Sequence, residues 1–172
     1  MKVFGITGFK NSGKTTLVVK LIEYFATRGI KVSTVKRTHH DFKIDQPDTD
    51  SDKHRAAGAG EVLVCSNYRW ALIHEAQEPR ERSLQEMLNR LSVTDLILVE
   101  GYKEEPHPKL QVVRPSVSDR QMPEHITNIL ALVSDEAIDP KDYGRQCPVL
   151  NINNISEVGE FILRAVAMLP QQ

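Results

Sequence analysis

The chain has 172 residues and a mass of 19.4 kDa, enough for about one domain, and at 40% apolar it can bury a real core. No stretch reaches the roughly 18 consecutive apolar residues of a spanning helix, and the apolar run from Val3 to Thr7 breaks at Gly8, short of a secretory leader. With 22 Lys and Arg against 23 Asp and Glu the formal charge is −1, so no basic footprint for duplex nucleic acid exists and any polyanion must be held locally. Cys65 and Cys147 lie too far apart for a paired metal knuckle and are too few for a disulfide scaffold. These features predict a soluble cytoplasmic protein, a single domain over residues 1–172, with no membrane or nucleic-acid partner.

Val3 to Thr7 reads as a strand, and Leu17, Val18, Leu21, Ile22 and Phe25 mark one stripe of the helix that follows. Gly29 stops that helix as a left-handed C-cap would, and Ile30 to Val35 reads as a second strand, completing a βαβ opening. From Lys36 to Ser51 the chain loses periodicity in a long polar loop, before a short helix that closes at Gly58. Val62 to Cys65 and Trp70 to Ile73, separated by Ser66 to Arg69, predict a hairpin that adds antiparallel strands to the sheet. Leu84, Met87, Leu88 and Leu91 mark a further helix, and Leu96 to Val99 is apolar throughout, as in a central strand covered on both faces. Gln111 to Arg114, fenced by Pro108 and Pro115, reads as an edge strand, and Ile129 to Val133 as a buried one. Ser156 is expected to cap a last helix striped by Val158, Phe161, Ile162, Ala165 and Leu169. Trp70 and its apolar neighbours exceed what one chain needs to expose and suggest a subunit interface.

Gly8-Phe9-Lys10-Asn11-Ser12-Gly13-Lys14-Thr15 matches G-x-x-x-x-G-K-[ST] in full, between a predicted strand and a predicted helix. There the backbone N–H groups can surround a phosphate and the helix N-terminus adds its positive end. Lys14 would reach the β- and γ-phosphates, and the Thr15 hydroxyl would ligate Mg²⁺. Such a site also needs a carboxylate at a neighbouring strand end, and Glu100 directly follows Leu96 to Val99; the alternative is a solvated strand end. The fold class expected is α/β, a P-loop NTPase-like three-layer sandwich with a mixed, mainly parallel sheet and an antiparallel extension. His39, His40 and Asp41 follow the second strand on the same carboxyl edge, as a phosphate-sensing or metal-water-sensing loop, a zinc site or a plain solvated loop. The familiar Lys-x-Asp guanine reader is missing. Asp135, after the buried strand, stands where a carboxylate could accept both guanine N–H groups, or it only caps a turn.

Thr7 to Thr16, the run Lys36-Arg37-Thr38-His39-His40-Asp41, Asp45-Gln46-Pro47, Asp50-Ser51 with Arg55 and Ala57-Gly58-Ala59, Arg69 to Leu72, and Leu96 to Lys103 together resemble the MobB family of molybdopterin-guanine dinucleotide biosynthesis adaptors. The resemblance spans nearly the whole chain and is weakest between Pro106 and Asn128. It implies a GTP-binding, weakly hydrolysing homodimer that assists MobA, the enzyme that attaches GMP to molybdopterin. By residue, it implies a phosphate role for Asn11, Ser12, Gly13, Lys14, Thr15 and Thr16 and a metal role for Thr15 and Glu100. His39, His40 and Asp41 fall near the γ-phosphate or pterin. Lys10 lies one position later than the extra lysine of dimer-bridging deviant P-loops, so a subunit reaching across to the phosphates is not assumed. Two other classes compete. A small-molecule kinase would need an Arg-bearing lid, for which Arg80-Glu81-Arg82 is the candidate; a non-catalytic nucleotide or pterin module would tolerate loss of Glu100.

Overall fold

The computed structural model describes residues 2–38, 42–117, 123 and 125–167. They divide into two units, one formed by Met1–Arg37 with Leu84–Gln172 and the other by Thr38–Ser83. In chain order the elements are β1 (Lys2–Gly8), α1 (Lys14–Ala26), β2 (Val32–Lys36), α2 (Asp50–Ala56), β3 (Glu61–Cys65), β4 (Trp70–His74), α3 (Leu84–Leu88), β5 (Leu96–Glu100), β6 (Lys109–Val112), β7 (Ile129–Ser134), β8 (Val149–Asn151) and α4 (Ile155–Ala167).

The first unit is built on a six-stranded sheet of order β2-β5-β1-β6-β7-β8, every adjacent pair parallel. Leu96 to Val99 is buried on both faces, as its unbroken apolar run requires: Leu96 and Leu98 join the core under α1 and α4, while Ile97 and Val99 pack with Leu84 and Leu88 of α3. On α1 the residues Leu17, Val18, Leu21 and Phe25 are buried, and Gly29 lies at φ 71°, the left-handed stop expected of it. The α/β class, with a mainly parallel sheet and an antiparallel piece, is the architecture found.

Three local expectations are corrected, and one strand is unforeseen. The hairpin β3–β4 forms with the expected antiparallel pairing, Cys65 opposite Trp70, but as a separate two-stranded sheet that adds nothing to the six strands. The strand near Gln111 is not an edge: β6 lies between β1 and β7, because Pro108 and Pro115 fall just outside its paired span. A three-residue strand, β8, closes the far edge beside β7 and carries too little pattern to be foreseen. Asn154, not Ser156, caps α4: its Oδ1 accepts from the Glu157 backbone N–H at 3.3 Å, and Ser156 donates its hydroxyl to the same oxygen at 3.0 Å. Leu169 lies outside the described residues.

The second unit holds α2 and the hairpin. Thr49 caps α2, and Arg55 gathers Asp45, Asp52 and Glu75 at 3.2, 2.7 and 3.1 Å, tying the loop before the helix and the end of the hairpin to one guanidinium. One hairpin face carries Leu63, Cys65, Trp70 and Leu72, with Trp70 66% and Leu63 62% exposed.

Beneath β1 and β6 the interior is polar. Lys109 has no exposed surface and donates its ammonium to the carbonyls of Glu105 at 2.8 Å and Thr127 at 2.9 Å; burial lowers its pKa to about 8. Neither ring nitrogen of His107 has a hydrogen-bond partner, and burial, with the Lys109 charge second, pushes the imidazole down to about 4. Gly5 makes room for both: a Cβ there would lie 2.4 Å from His107 Nε2 and 2.9 Å from Lys109 Cβ. Gly5→Ala is therefore expected to destabilise the protein by about 1–3 kcal/mol through overpacking, measured as a lower urea midpoint at unchanged slope.

Candidate functional site

The loop from Gly8 to Lys14 joins the carboxyl end of β1 to α1. Its backbone uses conformations that L side chains rarely adopt, with Gly8 at φ 147° and Gly13 at φ 96°, while Asn11 is held at φ 64°. Gly8 also needs its missing side chain, since a Cβ would lie 2.6 Å from the Val112 carbonyl oxygen. No side chain caps α1, so its first N–H groups are available to an anion. Ser12 is buried with its hydroxyl unpartnered, and Lys14 curls over the loop to donate to the Phe9 carbonyl at 2.6 Å. Burial lowers the Lys14 pKa, with Glu100 opposing and Lys36 reinforcing the shift. Thr16 is exposed on the first turn.

Glu100 ends β5, opposite Ile6 of β1 and Lys36 of β2. The Thr15 hydroxyl lies 3.2 Å from each of its carboxylate oxygens. Two hard oxygen donors at that spacing match what an octahedral dication takes as neighbouring ligands, so the pair suits Mg²⁺ rather than a softer metal. Lys36 stands beside them, its ammonium 3.5 Å from Glu100 and 3.4 Å from the Thr15 oxygen, supplying the positive charge that this carboxylate, only 14% exposed, requires. Gly101, at φ 98°, turns the chain past Arg37, whose guanidinium lies over the Tyr102 ring at 5.2 Å.

Asp135 follows β7, on the other side of β1 from Glu100. Both of its oxygens are held by Arg114, at 3.3 Å from Nε and 2.7 Å from Nη2, and that hydrogen bonding keeps its carboxyl below the usual range. Arg114 Nη2 also lies 3.9 Å from where a Cβ on Gly13 would stand. Lys36 and Arg114 are the site neighbours that sequence reasoning missed: each follows an apolar run, but nothing local to it names its partner. His39, His40 and Asp41 lie outside the described residues. Among the described residues no group of three or more His, Cys, Asp or Glu is placed to hold a metal, and no helix is long and apolar enough to cross a membrane.

A model of the family "MobB: Molybdopterin guanine dinucleotide synthesis protein B" matches residues 3–135. The chain is 36% identical to the molybdopterin-guanine dinucleotide biosynthesis adapter protein of Haemophilus influenzae over 93% of its own length and 86% of that protein's. It is 34% identical to the Escherichia coli adapter protein over 94% and 91% of the two lengths. A crystal structure of a MobB homologue from Bacillus stearothermophilus superposes with a TM-score of 0.68 at 27% identity, covering 98% of this chain and all of that one. A structure of molybdopterin-guanine biosynthesis protein B gives 0.70 at 28% identity, over 94% and 98%. The sequence match over most of the chain and the shared fold agree: the chain belongs to the MobB family.

Proposed function

We propose that the protein is a GTP-binding adaptor with weak GTPase activity that assists a MobA-type enzyme in guanylating molybdopterin. The observation that carries this is the Thr15–Glu100 pair beside the Gly8 to Lys14 loop, where an oxygen-donor pair meets a helix N-terminus. The adaptor role is supported by membership of the MobB family.

In this reading the loop N–H groups and the N-terminus of α1 bind the phosphates, and Ser12 offers them its unpartnered hydroxyl. Lys14 leaves the Phe9 carbonyl for the β- and γ-phosphates. Thr15 and Glu100 would hold Mg²⁺, which when bound neutralises phosphate charge. Glu100 also balances Lys36 across the strand pair. Asp135 bounds the nucleoside end. The chain acts in the cytoplasm as a homodimer, for which the exposed hairpin face of Leu63, Trp70 and Leu72 offers apolar surface.

The test is an equilibrium titration of GTP, ATP and molybdopterin with and without Mg²⁺, followed by guanylation of molybdopterin by a MobA-type enzyme with and without this protein. GTP binding that strengthens with Mg²⁺, and faster guanylation, are the expected results. Absence of nucleotide binding, or guanylation indifferent to the protein, counts against the reading.

A further inference from the structure

We propose that Arg114 contacts the phosphate nearest the nucleoside of the bound nucleotide, and that Asp135 is the positioning residue that holds its guanidinium and does not read the base. The proposal rests on the nucleotide-binding reading above and adds to it an anchor that does not distinguish guanine from adenine.

The strand order sets the two ends of the site. Glu100 and Lys36 end β5 and β2, on one side of β1, whereas Arg114 and Asp135 follow β6 and β7 on the other. A nucleotide whose phosphate tail ends at Thr15 and Glu100 therefore has its nucleoside half on the side of β6 and β7. Arg114 is already against the loop there, with Nη2 3.9 Å from the Cβ position of Gly13, where Ile152 Cδ1 also lies at 3.8 Å.

For Asp135 to read guanine, its carboxylate must offer two in-plane acceptors at once to N1–H and N2–H₂. Asp135 spends one oxygen on Arg114 Nε and the other on Nη2, the forked geometry in which a guanidinium takes up that same pair of acceptors. Arginine carries only donors and cannot accept from guanine, but two of its five N–H groups satisfy Asp135 and the chemistry of the rest suits a phosphate oxygen. The fork is braced from behind. Ser116 donates its hydroxyl at 2.7 Å and its backbone N–H at 3.3 Å to Glu136 Oε1, and the Glu136 N–H bonds Ser134 Oγ at 3.1 Å, so the segments after β6 and β7 are tied together independently of any ligand.

The experiment measures GDP, ADP and XDP binding calorimetrically for the wild type and for Arg114→Met, Asp135→Asn, Asp135→Glu and the Arg114→Met/Asp135→Asn double variant. Arg114→Met should weaken GDP and ADP by the same factor of about ten, with a shallower salt dependence. Asp135→Asn should weaken both equally, by about threefold, without gain of XDP. The double variant should lose no more than Arg114→Met alone, and Asp135→Glu should recover most of the loss. Should Arg114→Met fail to fold, Arg114→Lys, which keeps the charge without the fork, is expected to weaken both nucleotides equally by a smaller factor. A selective loss of GDP or a gain of XDP in Asp135→Asn overturns the proposal, as does wild-type affinity in the Arg114 variants. Lys14→Ala run alongside separates the two failures: if it weakens binding by about tenfold or more while the Arg114 variants do not weaken it, the loop assignment stands and this anchor falls.

Discussion

Replacing Lys14 by alanine is expected to weaken GTP binding about tenfold or more while leaving the circular dichroism spectrum unchanged. A hydrogen bond to a charged phosphate contributes roughly 1.5–3 kcal/mol, and here one ammonium would face two phosphates inside a loop that excludes part of the solvent. Before any ligand arrives, the Phe9 carbonyl accepts from Lys14, so binding exchanges one bond for stronger ones and the loop need not be rebuilt. The fold should tolerate the change: Lys14 is the first residue of α1, and the hydrophobic stripe begins only at Leu17. Alanine is also a good helix former. Unaltered GTP affinity in a folded Lys14→Ala protein would remove the phosphate role from this loop.

Acid should cost the fold about 3 kcal/mol between pH 6.5 and pH 4 through His107 alone. Its folded pKa of about 4 lies below the unfolded value near 6.5, so in that window the unfolded chain binds a proton that the folded protein refuses. The stability from keeping the ring neutral is complete above pH 6.5, is lost as pH falls towards 4, and loses nothing further below that. Urea titrations at pH 7.5, 5.5 and 4 check this against His107→Leu, whose stability should fall much less over the same range. Parallel losses in the two proteins would show that His107 is not the acid-sensitive group. Asp135 is separable, because a lowered carboxyl pKa acts below the ordinary carboxylate value.

The legible parts of this fold were those in which one short segment carries its own reason. Leu96 to Val99 is apolar at four consecutive positions, which only a strand buried on both faces explains, and Gly8 to Thr15 combines glycine spacing with a strand before it and a stripe after it. β6 was misjudged because Pro108 and Pro115 read as the fence of an edge strand, whereas both lie outside its paired span, and Lys109 and Gln111 are buried within it. The lysine is there because two backbone carbonyls from separate segments take its protons, a fact belonging to tertiary structure. The capping of α4 turned on a choice between two good capping residues two positions apart, decided by where the backbone enters the helix. In the site, Thr15 and Glu100 were legible separately as a motif and a strand end. The Lys36 and Arg114 contacts were not, since Lys36 meets Glu100 across a strand pair and Arg114 meets Asp135 between the ends of two others.

The place of β1 in the sheet has a consequence for how the protein is made. Its partners are β5 and β6, which the ribosome reaches only at Leu96–Glu100 and Lys109–Val112, and none of its ladder bonds can form before then. Of the strands in this sheet that have neighbours on both edges, β1 thus waits longest after its own synthesis to gain them. Until β5 is made, α1 has only the opening βαβ segment to pack on, since α4 follows every strand of the sheet. The strained glycine turn that follows β1 is held by both strand and helix, so it too acquires its support late in synthesis. Early in elongation the segment bearing Lys14 is an apolar strand and an amphipathic helix without a sheet, which makes nascent chains halted before Leu96 the species most exposed to aggregation and to holdase chaperones.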